Sequence, residues 1–259
     1  MNALAARRHH RFAPTVLLAL ALLITGFVYA AVAPGSAGAA TPTANDVRTG
    51  GKLFVANCAT CHGLAAQGSK AGPSLIGVGA ASVDFQVSTG RMPAAASGPQ
   101  VLARAPQYTA AQVSQLAAYV ASLGAGPSVP TADQVNAAKG DVASGMALFR
   151  TNCAMCHNAV GAGGALSGGK FAPPLSKSSA RTIYEAMLTG PQSMPVFNDA
   201  NLTPDEKRDV IAYVEAQRSG TPGGADLGSL GPVSEGLWVW VVGMGLLIGC
   251  AVWIGAKSS

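Results

Sequence analysis

The string Cys58-Ala59-Thr60-Cys61-His62 returns as Cys153-Ala154-Met155-Cys156-His157, 95 positions further along the chain. Two thiols held two residues apart on a turn of incipient helix can each form a thioether to one vinyl group of the same porphyrin, and the imidazole that follows then reaches the iron from the proximal side. The pair of strings therefore predicts two covalently attached haem c groups. Cys58, Cys61, Cys153 and Cys156 are the expected attachment sites, and His62 and His157 the expected iron ligands. A zinc site of this type would bring its second Cys pair within roughly 20 residues, and a thioredoxin-type couple has no need of His at the next position in both copies.

The repeat extends beyond these strings, as a duplicated module requires. Thr49-Gly50, Leu53-Phe54 and Asn57 correspond to Ser144-Gly145, Leu148-Phe149 and Asn152 at the same offset of 95, which predicts a helix before each haem string. Downstream, Pro73-Ser74-Leu75 and Thr89-Gly90 match Pro173-Pro174-Leu175 and Thr189-Gly190 at an offset of 100, and Ala118-Tyr119-Val120 matches Ala212-Tyr213-Val214 at 94. Loops changed length between matched elements. Thr109 with Gln112 and Thr203 with Glu206 form capping boxes at the start of each last helix, with Pro204 at a first helical position. Val113, Leu116, Ala117 and Val120 recur at helical spacing, so one face of that helix should pack on the first helix and the haem edge. Leu53, Phe54, Tyr119, Leu148, Phe149 and Tyr213 are expected in the two cores.

An iron held by His either fills its other axial position and transfers electrons or leaves it open to small molecules. Met92-Pro93 and Met194-Pro195 follow the Thr-Gly pairs at equivalent places, so Met92 and Met194 are the expected distal ligands. Met187 lies as far beyond His157 as Met92 lies beyond His62, 30 residues, but the internal alignment pairs it with Val87 and makes it a core side chain. Between the two apolar ends, His62 and His157 are the only histidines. A haem peroxidase needs an open iron beside an acid/base group, and neither is apparent; a gas sensor needs an open iron as well.

Two apolar runs bracket the modules. Thr15 to Ala33 is 19 residues without a charge behind Arg7, Arg8 and Arg11, long enough to span a bilayer core, while Ala37-Gly38-Ala39 would serve as a signal-peptidase site. Anchor and cleaved signal both remain open. Leu237 to Ala256, 20 uncharged residues holding all three tryptophans, reads as a transmembrane helix. Lys and Arg total 17 against 12 acids; removing Arg7, Arg8, Arg11 and Lys257 leaves 13, so the middle is nearly neutral and offers no basic stripe for nucleic acid. Positive flanks stay in the cytoplasm, which puts residues of about 41 to 235 outside and makes the chain multi-pass if the first segment is retained. Four of the five cysteines are committed to haem, and Cys250 sits within the second span, so no disulfide framework is available. Gly245 and Gly249 are spaced for close helix contact, although glycine is also common in ordinary lipid-facing spans.

The expected division is thus a basic flank with a transmembrane helix or signal-anchor (1–40), a first haem domain (41–123), a linker (124–139), a second haem domain (140–219), a Gly/Pro linker (220–236) and the last span (237–256). The whole chain resembles the dihaem cytochrome c subunit of the actinobacterial cytochrome bcc complex, a menaquinol:cytochrome c reductase. Its haem strings are specific only to cytochrome c; the tail from Gly231-Pro232-Val233-Ser234-Glu235-Gly236-Leu237 through Trp253-Ile254-Gly255-Ala256 carries the family resemblance. The resemblance implies an all-α fold of two tandem class I cytochrome c domains in the cell membrane. It also implies electron transfer from a Rieske iron-sulfur protein to a terminal cytochrome c oxidase, with cytochrome b as a further partner and the first module receiving. A dihaem subunit of another oxidase or of a dehydrogenase is the nearest alternative.

Overall fold

The computed structural model describes residues 13–32, 42–96, 98–219 and 232–257. The unit formed by residues 1–43 contributes one described helix, α1 (Ala13–Val32), with an apolar run over Pro14–Phe27. Arg7, Arg8, Arg11 and Ala37-Gly38-Ala39 lie outside the described residues.

The remainder repeats one helical plan twice. Module one runs α2 (Ala44–Asn57), α3 (Ala59–His62), α4 (Gly79–Ser88) and α5 (Ala110–Ala121). Module two repeats it with α6 (Val142–Asn152), α7 (Ala154–His157), α8 (Ala180–Thr189) and α9 (Pro204–Ser219). Asp141 caps α6 through the Ala143 and Ser144 amides, and Ser179 caps α8 through that of Thr182. Both expected capping boxes are present: Gln112 N–H donates to Thr109 Oγ1 at 3.3 Å and Glu206 N–H to Thr203 Oγ1 at 3.3 Å, while each N3 side chain returns to the Thr amide.

In each module the first and last helices cross over a glycine. A Cβ on Gly50 would lie 1.9 Å from the Gln115 carbonyl oxygen, and one on Gly145 would lie 1.9 Å from that of Asp209. Bare glycine lets the helices approach so closely that the aromatic one turn later meets its partner: Phe54 and Tyr119 stack at 5.2 Å and 42°, Phe149 and Tyr213 at 5.2 Å and 49°. Phe54 and Phe149 are each 1% exposed, and Val113, Leu116, Ala117 and Val120 are buried as the helical spacing requires. Leu53, Tyr119 and Leu148 are partly buried against the same cores.

Where the repeats differ in length, structure fills the difference. Five extra residues between His157 and Pro173, relative to His62 and Pro73, accommodate a short antiparallel ladder, β1 (Gly164–Ala165) with β2 (Phe171–Ala172). This is the one strand pairing among the described residues of a mostly helical fold. Residues 124–139 connect the modules as a packed segment. Ala81 N–H donates to Pro127 O at 3.0 Å, Thr131 and Gln134 form a third reciprocal pair, and Gln134 Nε2 donates to Tyr184 Oη at 3.1 Å. Val135 and Ala137 pack on the second core.

The last helix, α10 (Pro232–Lys257), begins before the apolar run expected at Leu237. Proline is well suited to a helical N-terminus, so the helix takes up 232–236 from the segment read as linker; residues 220–231 lie outside the described residues. Gly236–Ala256 is long and apolar enough to cross a membrane.

Candidate haem-binding sites

Each CxxCH string begins at the end of one helix and closes in a single helical turn. Cys58 ends the run from α2, and the His62 amide donates to Cys58 O at 3.0 Å; Cys153 and His157 repeat this at 2.9 Å. The turn brings the imidazole back under the module, where a carbonyl meets its Nδ1. The distance is 2.8 Å from His62 Nδ1 to Pro73 O and 3.0 Å from His157 Nδ1 to Pro173 O. A carbonyl can only accept, so Nδ1 carries the proton and Nε2 keeps its lone pair for a metal. Burial pushes the His157 imidazole below its ordinary pKa, favouring the neutral ligand form, with the Pro173 hydrogen bond acting the other way. Desolvation, then the neighbouring thiol, raises Cys58, and the same causes push Cys153 up to about 11.

Above each imidazole lies an apolar cavity. In module one it is lined by Phe54, Cys58, His62, Leu75, Val87, Met92, Leu116 and Val120, among others. In module two the wall includes Phe149, Cys153, Cys156, His157, Leu175, Met187, Met194 and Val210. The volumes, about 220 and 290 Å³, are far beyond the packing voids of a protein interior. Met92 and Met194 thus share a cavity with the histidine of their own module, while Cys61, between Cys58 and His62 in the chain, is exposed. Met187 is buried in the second core, as Val87 is in the first, while also lining the second cavity, and Met155 is 92% exposed.

The residues fit a haem. Two thiols, a pre-oriented imidazole, a thioether and an apolar cavity are assembled twice. Gln86, which lines the first cavity, has a buried side-chain oxygen without a hydrogen bond, an orphan of the kind a bound group or its ordered waters satisfy. Among the described residues no three His, Cys, Asp or Glu side chains converge as a bare metal site would need.

Sequence reasoning missed the proline carbonyls. Their signal was present, since Pro73 and Pro173 were matched landmarks of the repeat, but a backbone acceptor leaves no residue-type signature. It also missed the contact between modules. Arg181 on α8 reaches Asp84 on α4 with Nε at 2.6 Å and Nη2 at 2.5 Å, and Nε lies 3.2 Å from Glu185. The Gln100 amide donates to Phe171 O at 2.9 Å and accepts from Phe171 N–H at 2.8 Å, and Val101 N–H donates to Gln192 Oε1 at 3.3 Å.

Fold and cavities together define a protein of two tandem cytochrome c domains, the class that binds haem c. A family model described as "Cytochrome c" matches residues 47–124, and one described as "Cytochrome C oxidase, cbb3-type, subunit III" matches residues 140–214. The chain is 43% identical, over 98% of its length and 97% of the relative's, to the cytochrome bc1 complex cytochrome c subunit of Corynebacterium diphtheriae. It is 44% identical to the subunit of that name from Mycobacterium tuberculosis H37Rv, over 97% of this chain and 93% of the relative. Cytochrome c6 of Limnospira maxima is 34% identical over 30% of this chain and 94% of its own. The chain belongs to the family of cytochrome bc1 complex cytochrome c subunits.

Proposed function

We propose that this chain is the membrane-anchored dihaem electron-transfer subunit of a respiratory quinol:cytochrome c reductase, taking electrons from a Rieske iron-sulfur protein and delivering them to a terminal cytochrome c oxidase. The observation that carries this reading is the double assembly of paired thiols, a carbonyl-oriented imidazole and a methionine around an apolar cavity, on a chain that matches bc1-complex cytochrome c subunits along its length.

When bound, haem c supplies a one-electron iron couple. The chain's own residues do the rest. Cys58, Cys61, Cys153 and Cys156 would hold the two groups by thioethers. His62 and His157 present Nε2 while Pro73 and Pro173 fix the ring plane, which keeps ligand geometry constant between oxidation states. Met92 and Met194 would close the opposite face, and a His/Met pair raises the reduction potential. The apolar walls exclude water and stabilise the less charged, reduced state. In this reading the subunit conducts electrons inside an enzyme complex.

The C-terminal helix would hold both modules at the extracytoplasmic face, where haem c is attached, with cytochrome b as its neighbour in the membrane. Tethering a second module in place of a diffusing cytochrome makes the onward encounter local, at high effective concentration. The match of module two to an oxidase-subunit family favours a second reading, a dihaem subunit of an oxidase itself; the near full-length relatives favour the reductase. Affinity purification through a tag on this chain discriminates them. Recovery of cytochrome b and a Rieske protein together with an oxidase is the expected result, and recovery of an oxidase without cytochrome b would overturn the reductase assignment.

A further inference from the structure

Arg91 belongs to module one by sequence, directly before Met92, yet its side chain lines the cavity of module two and is absent from the lining of its own. Among the described residues it is the one Lys, Arg, Asp or Glu in that lining, beside Phe85 and Gln100 from module one. The guanidinium is half-buried, stacked over the Phe85 ring with its carbon 4.7 Å from the centroid. Among the described residues it has neither a carboxylate nor a hydrogen-bond acceptor, unlike Arg181, Arg208 and Arg218. The duplication offers no counterpart, since the residue after Gly190 is Pro191 and the position matching Phe85 is Glu185.

A partly desolvated guanidinium without a partner is costly unless an anion meets it, and its planar fork suits a carboxylate. The haem proposed for this cavity carries two carboxylates of its own, the propionates. We propose that Arg91 binds a propionate of the haem held by module two, so that module one supplies a side chain to its neighbour's cofactor site. Phe85 positions the guanidinium, and the Gln100 bonds to Phe171 hold the donating loop against the receiving cavity. The consequence is redox tuning in trans. A fixed positive charge beside the propionate favours the reduced state, which carries one positive charge fewer.

The proposal rests on the two-haem reading, and spectroelectrochemical titration of the purified full-length chain tests the two separately. The wave missing from a Cys153→Ser/Cys156→Ser chain identifies module two. Arg91→Gln is expected to shift the module-two equilibrium about tenfold against reduction, 59 mV for one electron, with a smaller shift in module one, and Arg91→Lys restores much of it. Loss of module-two haem in Arg91→Gln with retention in Arg91→Lys would also support the proposal. Both haems present with module two unmoved, or moved less than module one, would overturn it. Fewer than two haems in the unmutated chain would instead sink the reading on which it stands.

Discussion

Met92 and Met194 stood out in the sequence because each stands before proline at an equivalent place in the repeat, and the structure puts each in the cavity of its own module's histidine, where the proposed ligation needs it. The rival Met187 illustrates what linear spacing leaves open. Its distance from His157 equals that of Met92 from His62 and it lines the same cavity as Met194, but on α8 it is packed among the buried residues of the second core, whereas Met194 is only partly buried against them. Met92→Ala should therefore leave its iron with an open face, seen as carbon monoxide binding by the reduced protein, while Met187→Ala should leave both irons closed and cost roughly 2–5 kcal/mol of stability as a buried truncation. Carbon monoxide binding after Met187→Ala without any after Met194→Ala would reverse the assignment. The proline carbonyls were not legible in this way, because a backbone acceptor is a property of chain path.

At the scale of elements, the paired glycines show why a duplicated pattern can be visible before its purpose is. Gly50 and Gly145 stand out as matched positions, but only the helix crossing explains them. Alanine in a helix interior is favoured over glycine by about 1 kcal/mol, yet here its Cβ would meet a carbonyl oxygen at 1.9 Å. The overlap wins. Gly50→Ala or Gly145→Ala should destabilise by about 1–3 kcal/mol through forced separation of the helices, read as a lowered Tm, whereas alanine at exposed Gly98 should not. The capping boxes, by contrast, were legible because the rule involves side chains three residues apart.

The α4–α8 contact belongs to this scale too. Glu185, 1% exposed, has its carboxyl pushed up to about 9 by burial first and then by Asp84, against the opposing Arg181. In the folded chain it keeps its proton at neutral pH, while in the unfolded chain it would lose it near the ordinary value of 4.5. The folded state therefore binds more protons between these values. Stability from this group is complete below pH 4.5 and is lost as pH rises toward 9. Thermal unfolding across that window should show a falling Tm in the unmutated chain and a flatter profile in Glu185→Gln. Identical slopes would show that Glu185 does not carry the dependence.

For the whole molecule, the tandem organisation and the C-terminal apolar helix could be read from the chain, because a repeat and a long uncharged run are linear features. The seating of one module on the other could not. It is built partly by the matched helices α4 and α8, through Asp84 and Arg181, and partly where the repeats diverge in length: the extra residues before Pro173 supply the ladder, and Gln100, on the longer loop of module one, bonds to the backbone at Phe171. Insertions read as mere loop variation thus supply part of the contact surface. On α10, Gly245 and Gly249 leave room for a close neighbour, with no atom of the described residues within 4 Å of where a Cβ would stand. Gly245→Leu or Gly249→Leu should reduce the cytochrome b recovered with the tagged chain; unchanged recovery would point to a lipid-facing surface.

The state of the two irons decides most directly whether both modules carry electrons. Mass spectrometry of proteolytic fragments, combined with the low-temperature electron paramagnetic resonance of the oxidised chain, measures both attachment and ligation. The expected result is one haem on the fragment holding Cys58 and Cys61, one on that holding Cys153 and Cys156, and two low-spin ferric signals. A single haem, haem released without thioether cleavage, or high-spin signals from both irons in the unmutated protein would contradict it.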